Sequence, residues 1–171
     1  MVVFFDGATG ISYNAFDLDG YSLDAQGFFV LGNALTTNVD LVFPNAAMQN
    51  GADAVALYWA NATDFPNGTV PTGVNLIDGQ VYGTADAAAT NLITGLTLDI
   101  ITPGYAQFDE TVQTTGTDLT QSKIPDGAVP NNNTNYVLQT LTPGTWNQPP
   151  CLGGSIALAT GGNTLTTCNN T

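Results

Sequence analysis

At 171 residues, with 43% hydrophobic side chains, the chain fits one domain, or one domain plus a tail, with a continuous core, and a second independent core is not expected. Its fourteen acidic groups, thirteen of them Asp, face a single base, Lys123, with no Arg or His. That balance excludes nucleic acid and anionic membrane surfaces, which are held by clustered Lys and Arg, and it removes the commonest general base and transition-metal ligand, so histidine triads and histidine zinc sites are excluded too.

Short β-type runs separated by Gly, Asn, Asp and Pro clusters predict an all-β sandwich or barrel. Val2 to Phe5, turned by Asp6-Gly7, and Ile11 to Leu18 read as a hairpin. Phe28 to Leu31 is a strand ended by Gly32-Asn33, and Val39, Leu41 and Phe43 alternate until Pro44, which cannot donate to a sheet ladder. Ala52 to Trp59 has Val55, Leu57 and Trp59 on one face and Ala54, Ala56 and Tyr58 on the other; a strand apolar on both faces belongs in the middle of a sheet. Leu76 to Tyr82 is a strand broken by Gly79, and Ala85 to Leu92, too short for an independent helix, reads as a turn or one helical turn. Tyr105 to Val112, Gln121 to Ile124 and Tyr136 to Leu138 complete the strands. No apolar run approaches the roughly 20 residues of a membrane-spanning helix, so no membrane insertion is expected. Met1 to Phe5 lacks the basic start of a secretory leader.

Cys151 and Cys168 flank a Gly-rich stretch that predicts a small hairpin closed by a disulfide, worth roughly 3 kcal/mol in the chain-entropy account; the alternative is two unpaired buried thiols. Sequons at Asn61, Asn67, Asn132 and Asn169 fit the same oxidising, extracellular or cell-surface setting, although a chain rich in Asn and Thr also produces sequons by chance.

Asp17, Asp19 and Asp24 form the densest carboxylate cluster. Alternation puts Asp17 and Asp19 on one face, and the Gly20 turn can bring Asp24 back, which offers hard oxygen ligands for calcium, the one cofactor left open; a solvated turn is the plainer reading, and EF-hand spacing is absent. Tyr58, Trp59, Tyr82, Tyr105, Phe108 and Trp146 raise a glycan-stacking surface, against the tendency of strand aromatics to pack inward. A glycosidase needs two acids roughly 5 to 10 Å apart in one cleft, and no spacing marks such a pair. No catalytic residue is assigned and the chain is read as no enzyme.

Five phrases in order, Phe29-Val-Leu-Gly-Asn33, Gln49-Asn-Gly-Ala-Asp-Ala-Val-Ala-Leu-Tyr58, Leu76-Ile-Asp-Gly-Gln-Val-Tyr-Gly83, Ser122-Lys-Ile-Pro-Asp-Gly127 and Thr142-Pro-Gly-Thr-Trp-Asn147, resemble the lamin tail domain family in its secreted bacterial and invertebrate form. The resemblance implies an immunoglobulin-like β-sandwich over 1–147, with 148–171 as a C-terminal extension carrying the disulfide hairpin. The family usually has two further strands before the segment resembling Val2 to Phe5, closed by a glutamate-leucine-tyrosine-asparagine phrase; the plainer reading of their lack is that the sequence is a piece of a longer chain, and the sharper one is that strand addition from the Cys151 to Cys168 hairpin or from a neighbouring subunit fills the gap. The function expected is a non-catalytic extracellular structural or assembly module, partnered by itself or by another extracellular protein. The alternatives are an accessory binding domain of a secreted nuclease or other surface protein, and a calcium- or glycan-binding module.

Overall fold

A computed structural model describes residues 1–96, 107–110 and 119–147, and strand far exceeds helix among them, 32% against 9%. The chain is β-rich. Cys151, Cys168, Asn169 and Tyr105, with the predicted disulfide and hairpin, lie outside the described residues.

Five strands make the main sheet: β1 (Val2–Asp6), β2 (Ile11–Phe16), β5 (Asp53–Tyr58), β6 (Leu76–Gly83) and β7 (Phe108–Asp109), in the order β2-β1-β5-β6-β7. The expected hairpin is present, since β1 and β2 pair antiparallel, with a register shift between Phe4 and Phe5. The strand expected to be central is central: β5 lies between β1 and β6, antiparallel to both. Two predicted strands shrink to β3 (Leu31–Gly32) and β4 (Leu41–Val42), a short parallel pair. β8 (Leu119–Lys123) and β9 (Tyr136–Thr140) form a separate antiparallel pair. β6 runs unbroken through Gly79, which pairs with Ala56, so the glycine expected to break the strand does not.

The two faces of the sheet are covered differently. On one, Val3, Phe5, Ala54, Ala56, Tyr58 and Val81 form the buried core with Phe65, Ala89, Leu92, Ile93 and Leu96. Leu92 and Ile93 belong to α1 (Thr90–Gly95), a helix displaced toward the C-terminus from the single turn expected over 85–92. Six residues cannot hold a helix alone. Packing holds this one: Ala89, Leu92, Ile93 and Leu96 recur at i, i+3, i+4 and i+7, forming one apolar stripe, and the small side chains Ala54 and Ala56 leave it room on the sheet. Among the described residues the deepest core therefore lies between the main sheet, α1 and the loop carrying Phe65.

On the opposite face the rings of Phe4, Phe16 and Phe43 meet at 5.0 to 5.8 Å, which seats the end of β4 against the sheet. Further along, Gln121 of β8 accepts a hydrogen bond from Gln80, and Lys123 pairs with Asp78 of β6. The only lysine thus joins β8 to the sheet, and Asp78 also accepts the Asn131 N–H at 2.7 Å. The Pro125-Asp-Gly turn closes through Ala128 N–H to the Pro125 carbonyl at 2.9 Å, with Gly127 at φ +74°, a conformation that favours glycine.

Candidate functional site

Three features carry chemistry among the described residues: an acidic recess at one end of the sheet, a groove beside Trp59, and the outer edge of β2.

The recess follows from register. Antiparallel pairing sets Asp53, the first residue of β5, opposite Asp6, the last of β1. Asp53 is 3% exposed, one carboxylate oxygen accepts the Gly7 N–H at 3.0 Å, and the other has no hydrogen-bond partner. Asp53 opens on a recess of about 770 Å³ that Asp6 and Asp86 also line. Burial pushes the Asp53 carboxyl above its ordinary value, the Gly7 hydrogen bond opposes that, and Asp6 and Asp86 add to it. Behind it, Tyr82 donates to the Gln49 carbonyl at 3.5 Å while Tyr13 accepts from the Gln49 N–H at 3.3 Å; burial raises both phenols. Asp6 and Asp86 are engaged in their own turns, Asp6 with Ala8 and Thr9, Asp86 with Thr84. Among the described residues no three His, Cys, Asp or Glu side chains are grouped to hold a metal ion. The field of the carboxylates that line the recess attracts cations.

A carboxyl whose folded-state pKa is raised costs stability once it ionises. Below the unfolded value both states are protonated and the cost is absent; it grows as pH rises through the folded value and is constant above it. D53N keeps a carbonyl for the Gly7 N–H and cannot ionise. We expect it to melt about 2–4 °C above wild type at pH 7, the effect of roughly 1 kcal/mol in a chain of this size, with the gain fading toward pH 3. Equal gains at both pH values would show that charge is not the cause.

The predicted calcium residues are not brought to one point. Asp17 accepts the Asp19 N–H at 2.9 Å, and Asp24 accepts the N–H groups of Gln26 and Phe28, both at 2.8 Å. All three are exposed, and two of them close local turns. Asp19 lines the groove beside Trp59, whereas Asp24 lines a separate hollow with Asp40.

Of the aromatics, Tyr58 and Tyr82 are buried, and Tyr58 donates to the Thr72 carbonyl at 2.9 Å with its phenol pushed up to about 12 by burial. Trp59 and Trp146 break the expectation of inward packing: they are 80% and 56% exposed. β5 ends at Tyr58, so Trp59 falls past the last paired position. Among the sequons, Asn61 and Asn67 are exposed, and Asn132 is half-buried with its carbonyl oxygen accepting both the N–H and the hydroxyl of Thr134.

The outer edge of β2 is bridged at one point. Ser12 gives its N–H to the Thr69 carbonyl and accepts from the Gly68 N–H, both at 2.8 Å; from Tyr13 to Phe16 no further backbone bond reaches that side among the described residues. β1 is paired on both sides, by β2 and β5, so β2 forms one edge of the sheet.

Comparison with protein-family models finds no match, and comparisons with curated proteins and with solved structures find none either. Among the described residues no helix is long and apolar enough to cross a membrane.

Proposed function

We propose that the chain is an extracellular, non-catalytic structural module, an immunoglobulin-like sandwich of lamin-tail type, which self-associates by adding a strand along β2. The observation that carries this reading is the β2 edge. A six-residue strand ends the sheet, and beyond Ser12 its outer side takes no backbone partner among the described residues. Such an edge offers a row of N–H and C=O groups to an incoming strand. A head-to-tail donor would make the contact heterologous and allow filaments to grow.

The phrases behind the lamin-tail resemblance do scaffold work, which favours a structural reading. Asn147 donates its backbone and side-chain N–H groups to Asp126 at 2.6 and 2.7 Å and accepts from Thr142 at 2.7 Å. Asn38 donates to the Pro143 carbonyl, and Trp146 packs on Phe28 at 5.0 Å. Two of the five phrases, Ser122 to Gly127 and Thr142 to Asn147, are thus tied to each other, with Asn38 and Phe28 set against the second.

Proline placed singly at positions 13 to 16 separates edge from core. Where the native N–H points outward, proline is expected to leave the melting temperature nearly unchanged and abolish assembly; where it points to β1, proline should destabilise the fold. Assembly that survives every folded proline variant would remove β2 as the interface.

A further inference from the structure

Trp59 and Ile77, 80% and 43% exposed, line a groove of about 570 Å³ whose polar rim includes Asp19, Asn61, Asp64 and Asn75. The fold does not need this indole, because its neighbour Tyr58 fills the core position.

The ring and its rim describe the partner. A pyranose presents a C–H face that stacks on an aromatic surface and a girdle of hydroxyl and amide donors. Here the flat surface is an indole and the rim is rich in acceptors. One Asp64 oxygen accepts the Asn61 N–H at 2.9 Å, the other is bonded to nothing among the described residues, and the acidic rim disfavours anionic sugars. A neutral sugar with an acetamido N–H suits it. The sequence also supplies the tether: Trp59 stands two residues before Asn61 in Trp59-Ala-Asn-Ala-Thr63, and tryptophan and sequon asparagine open on the same groove. Asn61 is exposed and extended at φ −91°, ψ 156°, and neither its side-chain nitrogen nor the Thr63 hydroxyl donates to any partner among the described residues. The other described sequons lack such a platform. At Asn67 the Thr69 hydroxyl donates to the Pro66 carbonyl at 2.6 Å and the loop is tied to Ser12, and Asn132 is folded onto Thr134. Because glycan transfer precedes folding, this geometry decides what the sugar meets afterwards.

We propose that Asn61 carries an N-linked glycan whose first N-acetylhexosamine packs on the Trp59 indole, so that the groove seats the chain's own modification. This rests on the extracellular reading. The test secretes the full chain, behind a cleavable leader, from a yeast host and trims its glycans enzymatically to one N-acetylglucosamine per site. Glycopeptide mass spectrometry is expected to find Asn61 occupied. The trimmed protein should melt about 2–4 °C above T63A, which lacks the Asn61 sugar, and the same comparison in a W59A background should show no gain. An unmodified Asn61, an absent gain, or a gain that survives W59A overturns the proposal. So does saturable binding of free chitobiose to T63A that W59A removes, because the groove's partner then comes from another molecule. Since the host imposes the secretory route, failure here leaves the natural location untouched; a native protein found only inside the cell would defeat the extracellular reading even where the stack forms.

Discussion

Gly7→Ala is expected to leave no folded protein. A Cβ at this position would sit 1.7 Å from the Ala52 carbonyl oxygen and 2.8 Å from the Ala89 methyl. The first is backbone leading into the central strand, and no side-chain rotation relieves it. Gly7 also gives its N–H to Asp53 and its carbonyl to the Asn91 amide at 3.1 Å, so one residue joins the end of β1, the start of β5 and the helix. Moving the chain away to admit a methyl would break both bonds and lift α1 from the sheet. A loss above about 4 kcal/mol follows, comparable with the entire stability of many domains, roughly 5–15 kcal/mol. Circular dichroism and a thermal melt decide it: a cooperative transition near the wild-type temperature would mean that the approach of Gly7 to Ala52 is not the constraint described.

Phe5→Ala should cost about 3–5 kcal/mol. Phe5 is fully buried, and its ring meets those of Tyr58 and Phe65 edge-on at 6.5 and 6.4 Å, so truncation opens a cavity between sheet and loop that these rings can only partly fill. The urea midpoint should fall with little change in slope, since the surface exposed on unfolding is nearly the same. Leu35→Ala, at a site 85% exposed, is the matched control and should leave the midpoint where it was. Similar losses at both positions would mean that the core lies elsewhere than between β1, β5 and α1.

Local pattern was enough to place some of this fold. The two-faced apolar run over Ala52 to Trp59 marked the central strand, and Asp6-Gly7 marked the first hairpin. Other features depend on partners distant in sequence. α1 was foreshadowed by the Ala89, Leu92, Ile93, Leu96 spacing, yet a stripe within so few residues, surrounded by Ala and Thr, has no local stability to advertise it; its signal is legible only beside a sheet face lined by Ala54 and Ala56. Asp53 stands alone in the chain, and the acidic recess exists because register sets it opposite Asp6. The reverse holds for Asp17, Asp19 and Asp24, where local density suggested a cation site but two of the carboxylates satisfy N–H groups of their own turns. Trp59 continued the alternation of β5 by one residue too many; the strand stops at Tyr58 and the indole is left outside.

Charge sets the conditions under which self-association should be visible. At a formal net charge of −13, two copies repel, and that repulsion weakens as salt shortens the Debye length to about 10 Å at 0.1 M. Strand pairing at β2 is short-ranged and survives the screening, so assembly should strengthen with ionic strength.

The most direct test is the molar mass of the untagged protein by light scattering across a wide range of concentration at moderate salt. Growth from 17.7 kDa toward an open-ended series of multiples, lost in the edge-proline variants that remain folded, is the predicted result. A mass fixed at one chain at every concentration and salt level would contradict assembly through β2.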